Sequence, residues 1–324
     1  MGTHKPSLIE SIVVFIITIL VLALVLEFVL VFKNKDGRNY DIEMWKYSRT
    51  LKRVSSNPRL GHEHVPNKSA RLQNVDIRIN SLGMRGDEPK AADTKIVFLG
   101  SSITFGWGVA EAKIYPEILE ARLKTDGKSV EIYNAGIGNY NSAREIELFF
   151  SKLEQIKPNI IILNSFIRDA EVIPSPKRNW LLENSQLAVT IWSRLEQLKR
   201  KFGVEKSFQQ HYKDIYADDY AGWIEMQKAF ERLSTYAQAN KVRVIVTMIP
   251  DIHNLKNYPF IFIHEKTARI AQANGFEFID FFDSFKDISD QSSLWAMPGD
   301  PHPNETGHRL MVNQLYNYLV SFPQ

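Results

Sequence analysis

Apolar residues fall along this chain in three kinds of run, and each predicts a different element. The first is unbroken: residues 12–32 are apolar except for Thr18 and Glu27. As a helix such a segment spans roughly 30 Å, the thickness of a bilayer's hydrocarbon core. It is too long for the apolar stretch of a signal peptide, and no small-x-small cleavage pattern precedes Lys33. An uncleaved transmembrane anchor is expected over 12–32, after a short tail at 1–11. Glu27 is costly in lipid unless it lies near an interface or faces a partner.

The second kind is short and rich in β-branched residues: 95–100 (KIVFLG), 130–135 (VEIYNA), 159–166 (NIIILNSF), 242–249 (VRVIVTMI) and 276–281 (FEFIDF). These read as buried strands. The third kind repeats at helical spacing, over 115–124, 142–156, 187–202, 218–238 and 305–320. Strands separated by helices pair in parallel through right-handed crossovers, which predicts an α/β fold with a three-layer α/β/α sandwich around a parallel sheet. Residues 33–94 are polar and punctuated by Gly, Pro and Asn, so they read as a juxtamembrane stretch and N-terminal extension. The main domain is expected over 95–324. Within it, 172–240 exceeds a plain crossover and reads as a helical insertion forming a cap or side wall.

Composition changes this picture little. Apolar residues make up 44% and charged residues 24%, as in ordinary globular proteins, and the net charge is +3. Neither a basic helix nor a repeat calls for nucleic acid as a partner. The absence of cysteine excludes thiolate catalysis, disulfides and Cys-based zinc sites. The histidines are scattered without metal-ligand spacing, so neither metal nor cofactor is expected. Lys33, Lys35, Arg38, Lys46 and Arg49 follow the span while Lys5 alone precedes it. By the positive-inside rule this holds the following domain in the cytoplasm, although the rule weakens for long domains.

Candidate chemistry sits at two places. Gly100-Ser101-Ser102-Ile103-Thr104-Phe105-Gly106 follows the first strand, where a serine flanked by glycines can expose its Oγ at the sheet edge. The alternatives are a phosphate loop or an ordinary turn, but neither G-x-G-x-x-G nor the P-loop pattern is met. Asp300-Pro301-His302-Pro303-Asn304 precedes the last helix and offers a base with an acid to orient it. A plain helix start capped by Asn304 is the other reading there. Phe105, Trp107 and Trp295 stand near these blocks; core or rim packing is the first reading for each, with Trp107 and Trp295 the candidates for a substrate wall, and His308 reads as structural or surface.

The two blocks resemble the nucleophile and Asp–His blocks of SGNH (GDSL-type) hydrolases. Residues 134–139 (NAGIGN) are similar to that family's second block. Residues 157–169, from Lys157-Pro158-Asn159 to Phe166-Ile167-Arg168-Asp169, are similar to the third, and 80–85 (NSLGMR) to a lead-in of one branch. The resemblance implies a serine esterase of flavodoxin-like SGNH fold in which Ser102 is nucleophile, His302 base and Asp300 the orienting acid, with Asp290 a distant second. It implies an oxyanion hole from the Ser102 N–H, a backbone N–H at Asn139 or, in another register, Gly138, and a side-chain donor after the third strand. Arg168 stands where the family has asparagine; Asn164 is a backup. Ser101 replaces the usual aspartate. The substrate implied is an O-acyl ester of an envelope glycan or lipid, with the domain facing outwards. An O-acetyltransferase of envelope polysaccharide, or a degenerate SGNH domain that binds glycan or joins an envelope complex as a partner, are the alternatives.

Overall fold

The computed structural model describes residues 7–174, 179–201 and 207–321. In chain order the elements are α1 (Leu8–Lys33), α2 (Tyr40–Thr50), β1 (Lys52–Val54), β2 (His62–His64), β3 (Lys68–Leu72), β4 (Val75–Ile79), β5 (Thr94–Gly100) and α3 (Ser102–Phe105). There follow α4 (Tyr115–Thr125), β6 (Val130–Gly136), α5 (Ser142–Leu148), β7 (Ile160–Phe166), α6 (Trp180–Asn184), α7 (Gln186–Lys201), α8 (Phe208–Ile215) and α9 (Ala221–Asn240). The chain closes with β8 (Arg243–Ile249), α10 (Ile261–Ala273), β9 (Glu277–Asp280), α11 (Phe282–Phe285), β10 (Trp295–Met297), β11 (Asp300–Pro303) and α12 (Glu305–Ser321).

These elements form two compact units, one of residues 1–46 with 177–205 and the other of 47–176 with 206–324. In the smaller unit α1 begins at a capping box, with Ser7 Oγ accepting from Glu10 N while Glu10 bonds back to the Ser7 N–H. It has no buried residue along its length and is long and apolar enough to cross a membrane.

The larger unit is built on five parallel strands in the order β6-β5-β7-β8-β9. Alternation along each strand divides its side chains between two cores. Val97 and Leu99 of β5 pack with Phe149, Met226, Phe230 and Ile263 on one face. Ile96 and Phe98 pack with Tyr115, Leu119, Met311 and Leu315 on the other. Thus α5, α9 and α10 cover one side and α4 and α12 the other: the three-layer sandwich expected from the strand–helix alternation.

Three expectations change. The insertion read over 172–240 is too long, because α9 places Met226, Phe230 and Leu233 in the core; only 177–205 groups with α1. The boundary at 94 also moves, since residues 47–94 group with the larger unit. The helix read over 142–156 is α-helical only to Leu148, then widens into a π-turn at Phe149–Leu153 and tightens to 3₁₀ at Glu154–Ile156.

Candidate active site

The ends of β5, β6 and β7 that face α3, Asn139 and Arg168 are their carboxyl ends, the edge where parallel α/β sheets carry their sites. Ser102 opens α3 directly after β5, and that short helix ends at Gly106, whose φ of 81° is a left-handed cap. The turn is tight enough that β6 must terminate in glycine: a Cβ on Gly136 would lie 2.2 Å from the Phe105 nitrogen. Asn134 ties the two together, its Nδ2 donating to the Thr104 carbonyl at 3.0 Å.

Ser102 Oγ and His302 Nε2 are 2.8 Å apart. On the other side of the ring, Nδ1 lies 2.5 Å from Asp300 Oδ1. A carboxylate only accepts, so Nδ1 carries the proton and Nε2 is left to accept from the serine hydroxyl. The D-x-H spacing is made possible by β10–β11, an antiparallel pair in which Trp295 faces Pro303 and Met297 faces Asp300. The His302 backbone N–H also bonds to Asp300 Oδ1 at 3.1 Å, closing the sharp turn between acid and base.

Asp300 is fully buried and its second oxygen is equally occupied. Oδ2 accepts from Gln73 Nε2 at 2.8 Å and from Trp107 Nε1 at 3.1 Å. Burial pushes the Asp300 carboxyl up, but the bonds from His302 and Gln73 outweigh it and hold the group below its ordinary value. Trp107 is therefore not the substrate wall expected from sequence: it is 1% exposed and serves the acid. Gln73 has no motif of its own. It sits at the tip of the β3–β4 hairpin, where Gln73 and Asn74 both adopt positive φ (48° and 62°).

The lead-in segment has a comparable task. Arg85 is buried and its guanidinium donates to the carbonyls of Phe105, Gly106 and Val109 at 2.6, 2.7 and 2.7 Å. It thus clamps the loop that follows the nucleophile. Burial pulls this guanidinium down to about 10, which still leaves it cationic at neutral pH.

The two candidate backbone donors of the second block differ in their surroundings. The Gly138 N–H donates to Tyr47 Oη at 3.0 Å, and its carbonyl accepts from Lys52 Nζ at 2.6 Å. Asn139 is exposed with φ 64°, a conformation asparagine adopts more readily than most residues. Arg168, in the turn after β7, donates through Nε and Nη2 to Glu171 Oε2 at 3.0 and 2.7 Å, with its side chain 52% exposed. To reach an oxyanion it would have to leave that pairing. Asn164 is buried and committed to the Leu99 carbonyl at 2.7 Å, so it is no backup donor.

The remaining candidates fall into place around this centre. Trp295 is half-buried on β10, donating to the Ile252 carbonyl at 3.1 Å. His253, paired with Asp251 at 2.5 Å, has its ring 6.1 Å from that of Trp295. Phe105 is core. His308 is buried, accepting from the Tyr115 N–H at 3.2 Å, and Asp290 caps a 3₁₀ turn through Ser292. Asn304 does cap α12, accepting from Thr306 N at 2.9 Å, so the capped helix start and the aligned histidine coexist.

Comparison with known proteins shows the family. The model of the GDSL-like Lipase/Acylhydrolase family matches residues 98–310. The chain belongs to that family and is an ester-hydrolysing serine hydrolase. Solved structures of similar fold include a catalytic mutant of Axe2, an acetylxylan esterase from Geobacillus stearothermophilus, at 14% identity and a TM-score of 0.48, covering 72% of this chain and 97% of that one. TesA is similar at 13% identity and a TM-score of 0.46, covering 69% and 97%. The psychrotrophic esterase EstA from a Pseudoalteromonas species stands at 16% and 0.43, covering 69% and 96%. Among curated proteins none matches.

Proposed function

We propose that this is a membrane-anchored serine esterase that removes an O-acyl group from an envelope glycan or lipid through an acyl-enzyme on Ser102. The observation that carries the reading is the unbroken relay from Ser102 Oγ through His302 to a buried Asp300. His302 Nε2 takes the hydroxyl proton as Oγ attacks the acyl carbonyl, and the imidazolium so formed is stabilised by Asp300. The tetrahedral oxyanion is held by the backbone N–H groups of Ser102 and Asn139. His302 then returns the proton to the departing alcohol, and water, activated by the same imidazole, frees the acid and restores Ser102. The anchor is α1, whose uniform apolar exposure suits lipid. An anchored domain facing outwards meets envelope esters at the membrane surface, which is why that substrate class is preferred.

The test is labelling of the detergent-solubilised full chain with a fluorophosphonate, beside Ser102→Ala and His302→Ala. Labelling of the parent chain and its loss in both variants is expected. A folded parent chain that stays unlabelled would overturn the esterase and leave a domain that only binds.

A further inference from the structure

The smaller unit contains a helix that is inside out. On α7, Gln186, Val189 and Ser193 are the buried positions. Ile191, Trp192, Leu195 and Leu198 are 52, 52, 52 and 47% exposed. At about 100° per residue those four occupy one continuous arc of roughly 120°. In a soluble helix the apolar arc turns inward; here the inward face is held by polar bonds instead. Gln186 Oε1 accepts from Asn34 Nδ2 at 2.9 Å, and Ser193 Oγ donates to Asp41. The preceding helix α6 adds Trp180 and Leu181 at 73 and 59% exposure.

What covers this arc is indicated by where α7 begins. The carboxylate of Glu27, inside the apolar stretch of α1, accepts from Ser185 Oγ at 2.7 Å, Gln186 N at 2.8 Å and Leu187 N at 2.9 Å. A carboxylate there satisfies the unpaired N–H groups and positive dipole end of α7. Glu27 lies six residues before Lys33, the end of α1, or about 9 Å along the axis. Since Gln186 also reaches Asn34, α7 starts beside the last two turns of the span, where hydrocarbon gives way to headgroups. An apolar arc bearing tryptophan, with Arg194 beside it and Lys199 within it one turn beyond Leu195, a lysine long enough to carry its charge out to the headgroups, is the composition that lies in that boundary.

We infer that α7 is an interfacial membrane helix: its Ile191–Trp192–Leu195–Leu198 face is immersed in the lipid leaflet that α1 enters, giving the chain a second attachment beside its span. This inference rests on the reading of α1 as the anchor.

The natural chain has no cysteine, so single positions can be labelled cleanly. Full-length protein carrying an environment-sensitive fluorophore at Leu195→Cys, Val21→Cys or Lys128→Cys is reconstituted into phosphatidylethanolamine–phosphatidylglycerol vesicles, with or without acyl-chain-brominated phosphatidylcholine. Val21 reports the anchor and Lys128 the hydrolase unit. The expected result is blue-shifted emission and loss of most fluorescence to the brominated lipid at both Leu195 and Val21, with Lys128 unchanged. Quenching at Val21 but not at Leu195 overturns the interfacial helix and leaves the anchor standing; a blue shift at Leu195 without quenching does the same and assigns the face to a protein. Loss of quenching at both positions overturns the anchor and the inference together.

Discussion

Four bonds converge on the Asp300 carboxylate, two from His302 and one each from Gln73 and Trp107. Bonds to a charged acceptor contribute about 1.5–3 kcal/mol each, so the two outer donors are strong enough to set the position of the acid. Replacing Gln73 by Ala and Trp107 by Phe together is expected to lower kcat roughly 10- to 100-fold while leaving Ser102 and His302 in place. Ester turnover, measured beside the circular dichroism of the folded variant, checks this. At this scale the sequence was readable where chemistry forces a residue type and blind where only position matters. Ser102, Asp300 and His302 stand out because few other side chains can do their work. Gln73 was invisible because any donor at a hairpin tip would serve, and Trp107 misled because its proximity in sequence to the nucleophile says nothing about which way the indole nitrogen points. Arg168 was placed correctly in the turn after β7, but its pairing with Glu171 depends on a local fold that no motif encodes.

Between elements, an electrostatic conflict lies where α5 meets the turn after β7. Glu145 and Asp169 are both buried there. Asp169 accepts from Ser142 Oγ at 2.5 Å and from Phe166 N at 3.2 Å, whereas neither Glu145 oxygen has a partner among the described residues. Burial first, and the charge of Asp169 second, raise Glu145 well above its ordinary 4.5. In the folded chain Glu145 therefore keeps its proton at a pH where the unfolded chain has lost it. The associated stability is complete below about pH 4.5 and declines as pH rises, by up to about 1.4 kcal/mol per pH unit, until the folded group itself ionises. Glu145→Gln removes that slope, so the difference in Tm between the variant and the natural chain should widen in favour of the variant as pH rises above about 5. The five strands of the sheet and the helices α4, α9 and α12 were legible from periodicity, since buried runs and 3.6-residue spacing follow from the sheet's two covered faces. α10 was not, because its apolar positions crowd its start; nor were the short β3–β4 and β10–β11 pairs, whose strands expose as much as they bury.

For the molecule as a whole, the basic residues after the proposed span and the proposed envelope substrate pull in opposite directions. Lys33, Lys35, Arg38, Lys46 and Arg49 favour a cytoplasmic domain, while an envelope ester requires the opposite side. Lys46 is already bonded to Glu43 at 2.6 Å, so part of this cationic run is neutralised locally. The outward orientation predicts that a membrane-impermeant maleimide labels Lys128→Cys in intact cells as fully as in lysed ones; labelling only after lysis would put the domain inside.

The family match opens at residue 98, yet the side chains that hold the acid and the nucleophile loop include Gln73 and Arg85, and the Asn139 turn leans on Tyr47. A chain pared down to the shared segment would keep every reacting atom and lose their supports. Grafting or shuffling this enzyme along its hereditary borders would transplant the chemistry without the scaffolding that makes it run.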